Sequence, residues 1–231
     1  MRLFVLCRLL LSIALAAPSS TTAMEFNLVG TTLVLSGGVA DNDLAKIKDN
    51  LDPARVKLIV LHQNKGGDLW NAFRIGERIR ESGVPTTISG YCNSACAIIF
   101  LGGVKRTFSD GKELRWTSAG FHGAYNRTTK EANTGQAPPL SYYINNMTGG
   151  RFPKELIEKA LYIKKNSDFI YAFHPSFYQA KPRGIMECHV PEDGKRKCTM
   201  IEGLDAITIG VITDMEITIL SDEVKALIQL L

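Results

Sequence analysis

Apolar residues follow two rhythms along this chain, and the alternation between them predicts its architecture. Short runs rich in Leu, Ile, Val and Thr have the length and composition of strands: EFNLV (25–29), TLVLSG (32–37), VKLIVLH (56–62), TTISG (86–90), KRTFS (105–109) and SAGFHG (118–123). Between them the period lengthens. Residues 41–51 bring Leu44, Ile47 and Leu51 to one face, and residues 68–83 do the same with Leu69, Phe73, Ile75 and Ile79. Asp68 is placed to open the second helix and Gly83 to close it. SACAIIFLGG (94–103) is apolar nearly all round, as a buried helix is. The repeating unit is strand, strand, helix, and connections of this length imply parallel pairing at least in part.

The rhythm weakens after residue 125. The stretch 126–139 is polar and ends in Pro138-Pro139, which predicts a surface loop or arm. Helices are expected at 140–147 and 153–165, with Pro153 in a first-turn position, then a late strand over 205–213 and a closing helix over 222–231. No internal sequence repeat or low-complexity tract interrupts this. A chain of 231 residues, 45% hydrophobic, fits one α/β domain spanning 24–231.

Residues 1–23 have a basic start, a short apolar stretch and small residues up to Ala23, the layout of a cleaved secretory signal. Arg8 splits the apolar run, which is then too short for the roughly 20 residues of a membrane-spanning helix. An exported, periplasmic or secreted protein is expected. The formal charge of +4 falls to about +2 without Arg2 and Arg8, and its even spread argues against a nucleic-acid or acidic-membrane partner.

Cys7 leaves with the signal, and four cysteines remain for an oxidising compartment. Cys188 and Cys198 bracket a polar turn with Pro191 and Asp193-Gly194, so a disulfide closing a hairpin at 186–200 is expected. Cys92 and Cys96 pair or not according to whether the chain turns or coils between them. Zinc would have to use Cys92, Cys96 and His122, or Cys188, His189 and Cys198. The usual paired spacings are missing, so neither metal nor cofactor is expected.

Three junctions carry candidate chemistry. A serine nucleophile needs a base to take its proton and donors for the oxyanion that follows. Ser94 stands where a strand gives way to a helix, with the free amide of Ala95 beside it. Gly66-Gly67 occupies the equivalent exit of the preceding strand and offers Gly67 as a second backbone donor. His122 ends another strand, where it can act as base. Each also has an ordinary structural explanation: a helix cap, a turn and a core histidine. An imidazole of ordinary pKa predicts activity rising through neutrality.

NKGGDLWNAF, GYCNSACAIIFLGG and FHGAY, in that order within 56–125, resemble the proteolytic subunit of Clp protease and its relatives in the ClpP/crotonase superfamily. The resemblance implies a spiral of strand-strand-helix units in one α/β domain, with Ser94 as nucleophile and His122 as base. Its third catalytic group is an aspartate after a C-terminal helix. Asp168 in KKNSDFIYAF matches best, with Asp205 and Asp214 as alternatives. Related exported signal peptide peptidases use a Ser-Lys dyad, against which His122 speaks. Cys92 and Cys96 depart from the small residues usual beside the serine, and the hairpin 186–200 reads as an insertion.

The resulting expectation is an exported serine hydrolase, an ATP-independent peptidase acting on peptides or unfolded segments. Self-association into a homo-oligomer is implied, and no ATP-driven partner is expected outside the cytoplasm. Two rivals share the fold. One is a non-catalytic binding or assembly module; the other is a crotonase-like acyl-thioester enzyme using the same backbone donors without Ser94. Catalysis by a Cys92 or Cys96 thiolate is disfavoured where exposed thiols oxidise.

Overall fold

The hairpin of β1 (Glu25–Val29) and β2 (Thr32–Ser36) turns at Gly30 and starts an α/β sheet. The computed structural model describes residues 23–126, 128–129, 131–162, 165–177, 184–191 and 193–231. Nearly all of the expected signal, with Cys7, therefore lies outside the described residues, as do positions 127 and 130 of the arm, 163–164 of the helix expected over 153–165, and 192 of the hairpin.

From β2 the sheet continues in parallel through β3 (Leu58–Asn64) and β4 (Thr86–Asn93). Helices α1 (Asp43–Asn50), α2 (Leu69–Ser82) and α3 (Ala95–Leu101) make the crossovers. The period-2 alternation of the strands divides the interior. Leu33, Leu35, Ile59, Leu61, Ile88 and Cys92 pack under these helices. Val34 and Val60 turn the other way, onto Leu220, Val224 and Ile228 around the closing helix α6 (Asp222–Leu230). Helix α2 begins where Asp68 accepts a hydrogen bond from the Asn71 amide and ends at Gly83, and every residue of α3 is buried.

The feature that positions the site is a change of partner along β4. Its first half, Thr86–Ile88, pairs with β5 (Arg106–Phe108); its second half, from Tyr91 to Asn93, pairs with β6 (Ser118–Phe121). Gly90 lies between the halves, and a register shift in β3 between His62 and Asn64 bends the neighbouring strand at the same level. Because β3, β4 and β6 run parallel, their C-terminal ends open on one edge, where ligands of α/β sheets are bound. Antiparallel β7 (Phe169–Phe173), β8 (Ile185–His189) and β9 (Lys197–Met200) extend the sheet beyond β6.

Three expectations change. Strand β4 continues to Asn93, three residues past TTISG. Helix α4 (Ala137–Met147) begins before the proline pair, since prolines are tolerated in a first turn where amides have no helical acceptor. The late strand over 205–213 is absent. The Asp205 carboxylate accepts from the Ile207 and Thr208 amides and folds this stretch into turns. Its apolar residues Ala206, Ile209, Val211 and Ile212 are buried without sheet pairing. The mixed α/β, single-domain architecture is otherwise as the pattern implies, with α5 (Lys154–Leu161) preceding β7.

Candidate active site

Parallel register brings the candidate residues together. Asn93 pairs with Gly120, and the Ser94 amide donates to the Gly120 carbonyl at 2.7 Å. His122 stands two residues beyond Gly120, so it rises beside the start of α3. Gly66 and Gly67 follow β3 on the other flank. Ser94, Ala95, Gly67 and His122 all line one cavity of about 430 Å³.

Ser94 has φ 56° and ψ −124°, a left-handed conformation rare for a residue with a side chain. Such strain costs on the order of 1–3 kcal/mol and persists where surrounding structure enforces it. Enforcement here is visible. Cys92 and Cys96 are joined in a disulfide around the serine, and both are fully buried. The helix-cap explanation fails, since the Ser94 side chain makes no capping hydrogen bond. Its hydroxyl is left for other chemistry.

Gly66, at φ 87°, is packed directly against the elbow. A methyl group there would stand 2.7 Å from Ser94 Cβ and 2.8 Å from the Ala95 nitrogen. Asn64 fixes this turn, its Oδ1 accepting from the Gly66 amide at 2.8 Å; nothing in the sequence pattern singled Asn64 out. The Gly66 carbonyl and the Asp68 amide both bond to Val39. Between them the Gly67 N–H has no acceptor within the described residues, and neither does that of Ala95 at the first position of α3. Two free backbone donors thus border the cavity that holds Ser94.

His122 stacks with two aromatic rings, 4.2 Å from Phe169 and 5.6 Å from Tyr125 between centroids. Antiparallel pairing of Phe121 with Ile170 puts Phe169 opposite the histidine. Burial pushes the imidazole down to about 4, with the Asn166 main chain opposing that shift. Even so, Nδ1 is buried without a hydrogen bond of good geometry. No hydrogen bond joins Ser94 to His122, and such catalytic contacts often tighten only when substrate is bound.

Asp168 has other neighbours. Its carboxylate reaches Ser167 Oγ at 3.5 Å, and after burial it is the second cause holding the Tyr125 hydroxyl up near 12. It makes no hydrogen bond to His122, and Asn166, not Asp168, lines the cavity. The two alternatives are also engaged elsewhere, Asp205 in its turn and Asp214 with Lys105 at 2.9 Å. The variant Asp168→Asn is therefore expected to lower kcat by no more than about tenfold. A loss near 10⁴-fold in steady-state assays, the scale of a triad aspartate, would restore it to the orienting role.

No family model matches the chain, and no curated protein matches its sequence. Several solved structures follow a similar course. A ClpP1 mutant from Listeria monocytogenes is 14% identical, covering 84% of this chain and 94% of its own, with a TM-score of 0.48. An enoyl-CoA hydratase from Polaromonas sp. JS666 is 10% identical over 90% of this chain and 76% of its own, TM-score 0.43. Another from Mycobacterium marinum is also 10% identical, over 84% and 77%, TM-score 0.41.

The remaining cysteines, Cys188 and Cys198, form the expected disulfide across paired positions of β8 and β9. With all four of these sulfurs in disulfides, neither zinc arrangement has a thiolate to use, and thiolate catalysis is excluded in the same stroke. Crosslinks of this kind persist in oxidising compartments. Among the described residues no helix is long and apolar enough to cross a membrane.

Proposed function

We propose that this protein is an exported serine hydrolase acting on peptides without an ATP-driven partner. The observation that carries the reading is a strained serine with an uncommitted hydroxyl, sharing one cavity with a neutral imidazole and two unpaired amides. His122 takes the proton of the Ser94 hydroxyl as Oγ attacks the carbonyl carbon. The Gly67 and Ala95 amides receive the negative charge that develops on the carbonyl oxygen. Collapse breaks the C–N bond, and the amine leaves with the proton held by His122. Water then enters by the same base catalysis and releases the acid.

A peptide suits the walls of the cavity. Asn126, Asn133, Gln136 and Asn166 line it with side-chain amides that can bond a main chain in either sense. Gln136 Oε1 is buried with no partner of its own. Leu69, Trp70, Ile98 and Leu140 supply apolar surface for a substrate side chain. Self-association, implied by the sequence resemblance, is part of the same reading.

The pH dependence separates this site from an exposed Ser-His pair. A base whose pKa has been lowered to about 4 is already neutral at pH 7. The rate is therefore expected to stay level from about pH 8 down to about 5.5, and to fall tenfold per unit below 4. The rise through neutrality expected from an ordinary histidine should be missing. Measuring kcat/KM on a neutral peptide, with circular dichroism to confirm folding at each pH, checks this. An acid limb centred near 6.5 rejects the buried base. Fluorophosphonate labelling that persists in Ser94→Ala rejects the nucleophile.

A further inference from the structure

A second cleft, of about 590 Å³, opens next to the catalytic cavity. The two share Lys65 and separate at the end of β4, where Asn93 lines the second and Ser94 the first. Alternation explains the split: Tyr91 and Asn93 project from the sheet face opposite to Cys92, beyond the reach of α6.

The charge in this cleft is one-sided. Lys65, Arg115 and Arg196 line it, and among the described residues no carboxylate does. Arg115 is paired with Glu113 at 2.7 Å on an exposed surface, which leaves Lys65 and Arg196 as the uncompensated cations. Arg196 lies over the Tyr171 ring at 5.6 Å, which steadies the guanidinium plane and leaves its edge free for a carboxylate. Lys65 is exposed and has no ion pair or hydrogen bond among the described residues. Trp116, 64% exposed with the Arg115 guanidinium 5.5 Å from its ring centroid, adds an aromatic wall. Asn93 Oδ1 is buried without a partner, an acceptor waiting for an N–H. Like charges along a concave wall concentrate field, so an anionic group is drawn in and a cationic one repelled.

We propose that this cleft is a specificity subsite for an acidic segment of the substrate peptide, its carboxylates meeting Arg196 and Lys65 and a main-chain N–H meeting Asn93. The inference rests on the hydrolase reading, because adjacent residues of β4 put the subsite a few peptide units from the bond that Ser94 would attack. A neutral or basic peptide leaves Lys65 and Arg196 without a counter-charge in the cleft, beside an Arg115 already paired with Glu113. An acidic one neutralises Lys65 and Arg196, and the preference weakens as salt screens the exposed rim.

The test uses the full domain and matched labelled peptides bearing Glu or Lys at positions flanking a constant cleavable core. C-amidated and free-acid forms of each distinguish a side-chain carboxylate from a chain terminus. Wild type is expected to favour the Glu peptides by about tenfold in kcat/KM, in both C-terminal forms, with the advantage shrinking between about 50 and 300 mM salt. In Arg196→Glu the ratio should fall to unity or invert. Equal rates for Glu and Lys peptides overturn the subsite, and a preference confined to free-acid peptides overturns the side-chain assignment. Fluorescence anisotropy on Ser94→Ala separates the two readings. Tighter binding of Glu peptides by a chain whose wild type cleaves none of them keeps the subsite and discards the hydrolase; cleavage without charge preference does the reverse.

Discussion

Replacing Ser94 with alanine is expected to cut peptide hydrolysis by about 10⁴- to 10⁶-fold while leaving KM nearly unchanged. The hydroxyl is the only atom removed, and it carries no hydrogen bond that supports the fold. The loss should therefore appear in kcat, where the missing covalent step resides. Stability supplies an independent reading of the same residue. Alanine at φ 56° keeps the strained backbone, so Ser94→Ala should unfold at nearly the wild-type denaturant midpoint. Glycine accepts that φ without strain, and Ser94→Gly should be inactive but more stable, by on the order of 1 kcal/mol. Turnover by Ser94→Ala within tenfold of wild type would remove the serine from the mechanism. A less stable Ser94→Gly would mean that the elbow is not strained.

How far the chain could be read in advance differs by region, for physical reasons. From residue 25 to 123 the elements declare themselves locally. Strand runs such as LIVLH and the amphipathic period of α2 are set by burial on one face, and Asp68 and Gly83 sit where their own side chains dictate an end. The same parallel order put Gly67, Ser94 and His122 at one edge of the sheet, where they line one cavity, because all three follow strands that point one way. What the pattern could not reveal is non-local. DAITIGVIT has the alternation of a strand, yet its carbonyls are claimed by a side chain more than a hundred residues earlier. The neighbour of His122 is likewise decided by the register of β6 on β7, which brings in Phe169 and Asn166 ahead of Asp168. Desolvation of the imidazole follows from that stack, and a lone histidine in FHGAY carries no sign of it.

The Cys92–Cys96 crosslink has a place in this scheme. One sulfur belongs to the last turn of strand and the other to the first turn of α3, with the serine between them. Relaxing the serine to an ordinary conformation would swing the helix away from the strand end, and the disulfide opposes that motion. Gly66 opposes it from the other side by close contact. The elbow is thus held on both flanks, which is what fixed amide donors need if they are to act without reorganising.

The largest stability effect is expected far from the cavity, at Arg106. This side chain is 1% exposed, with no carboxylate beside it among the described residues. Its guanidinium donates instead to carbonyls: Nε to Val211 at 2.9 Å, Nη1 to Gly103 at 2.7 Å and Leu101 at 3.4 Å, Nη2 to Gly210 at 2.8 Å. Burial, with Arg80 and Arg151 adding like charge, pushes it down to about 9, still charged at pH 7. The main chain of the same residue bonds to Thr213. One arginine thus ties the end of α3 to the turns of 205–213 and replaces the sheet pairing that this segment lacks. Arg106→Ala would strand those carbonyls and leave a cavity, a loss of about 3–5 kcal/mol. Urea titration should show the midpoint falling with little change in slope. Lysine has one head group for carbonyls on two sides, so Arg106→Lys should recover less than half of the loss. A cost under about 1 kcal/mol for Arg106→Ala would mean that water can serve those carbonyls, and that 205–213 is held by its apolar residues alone.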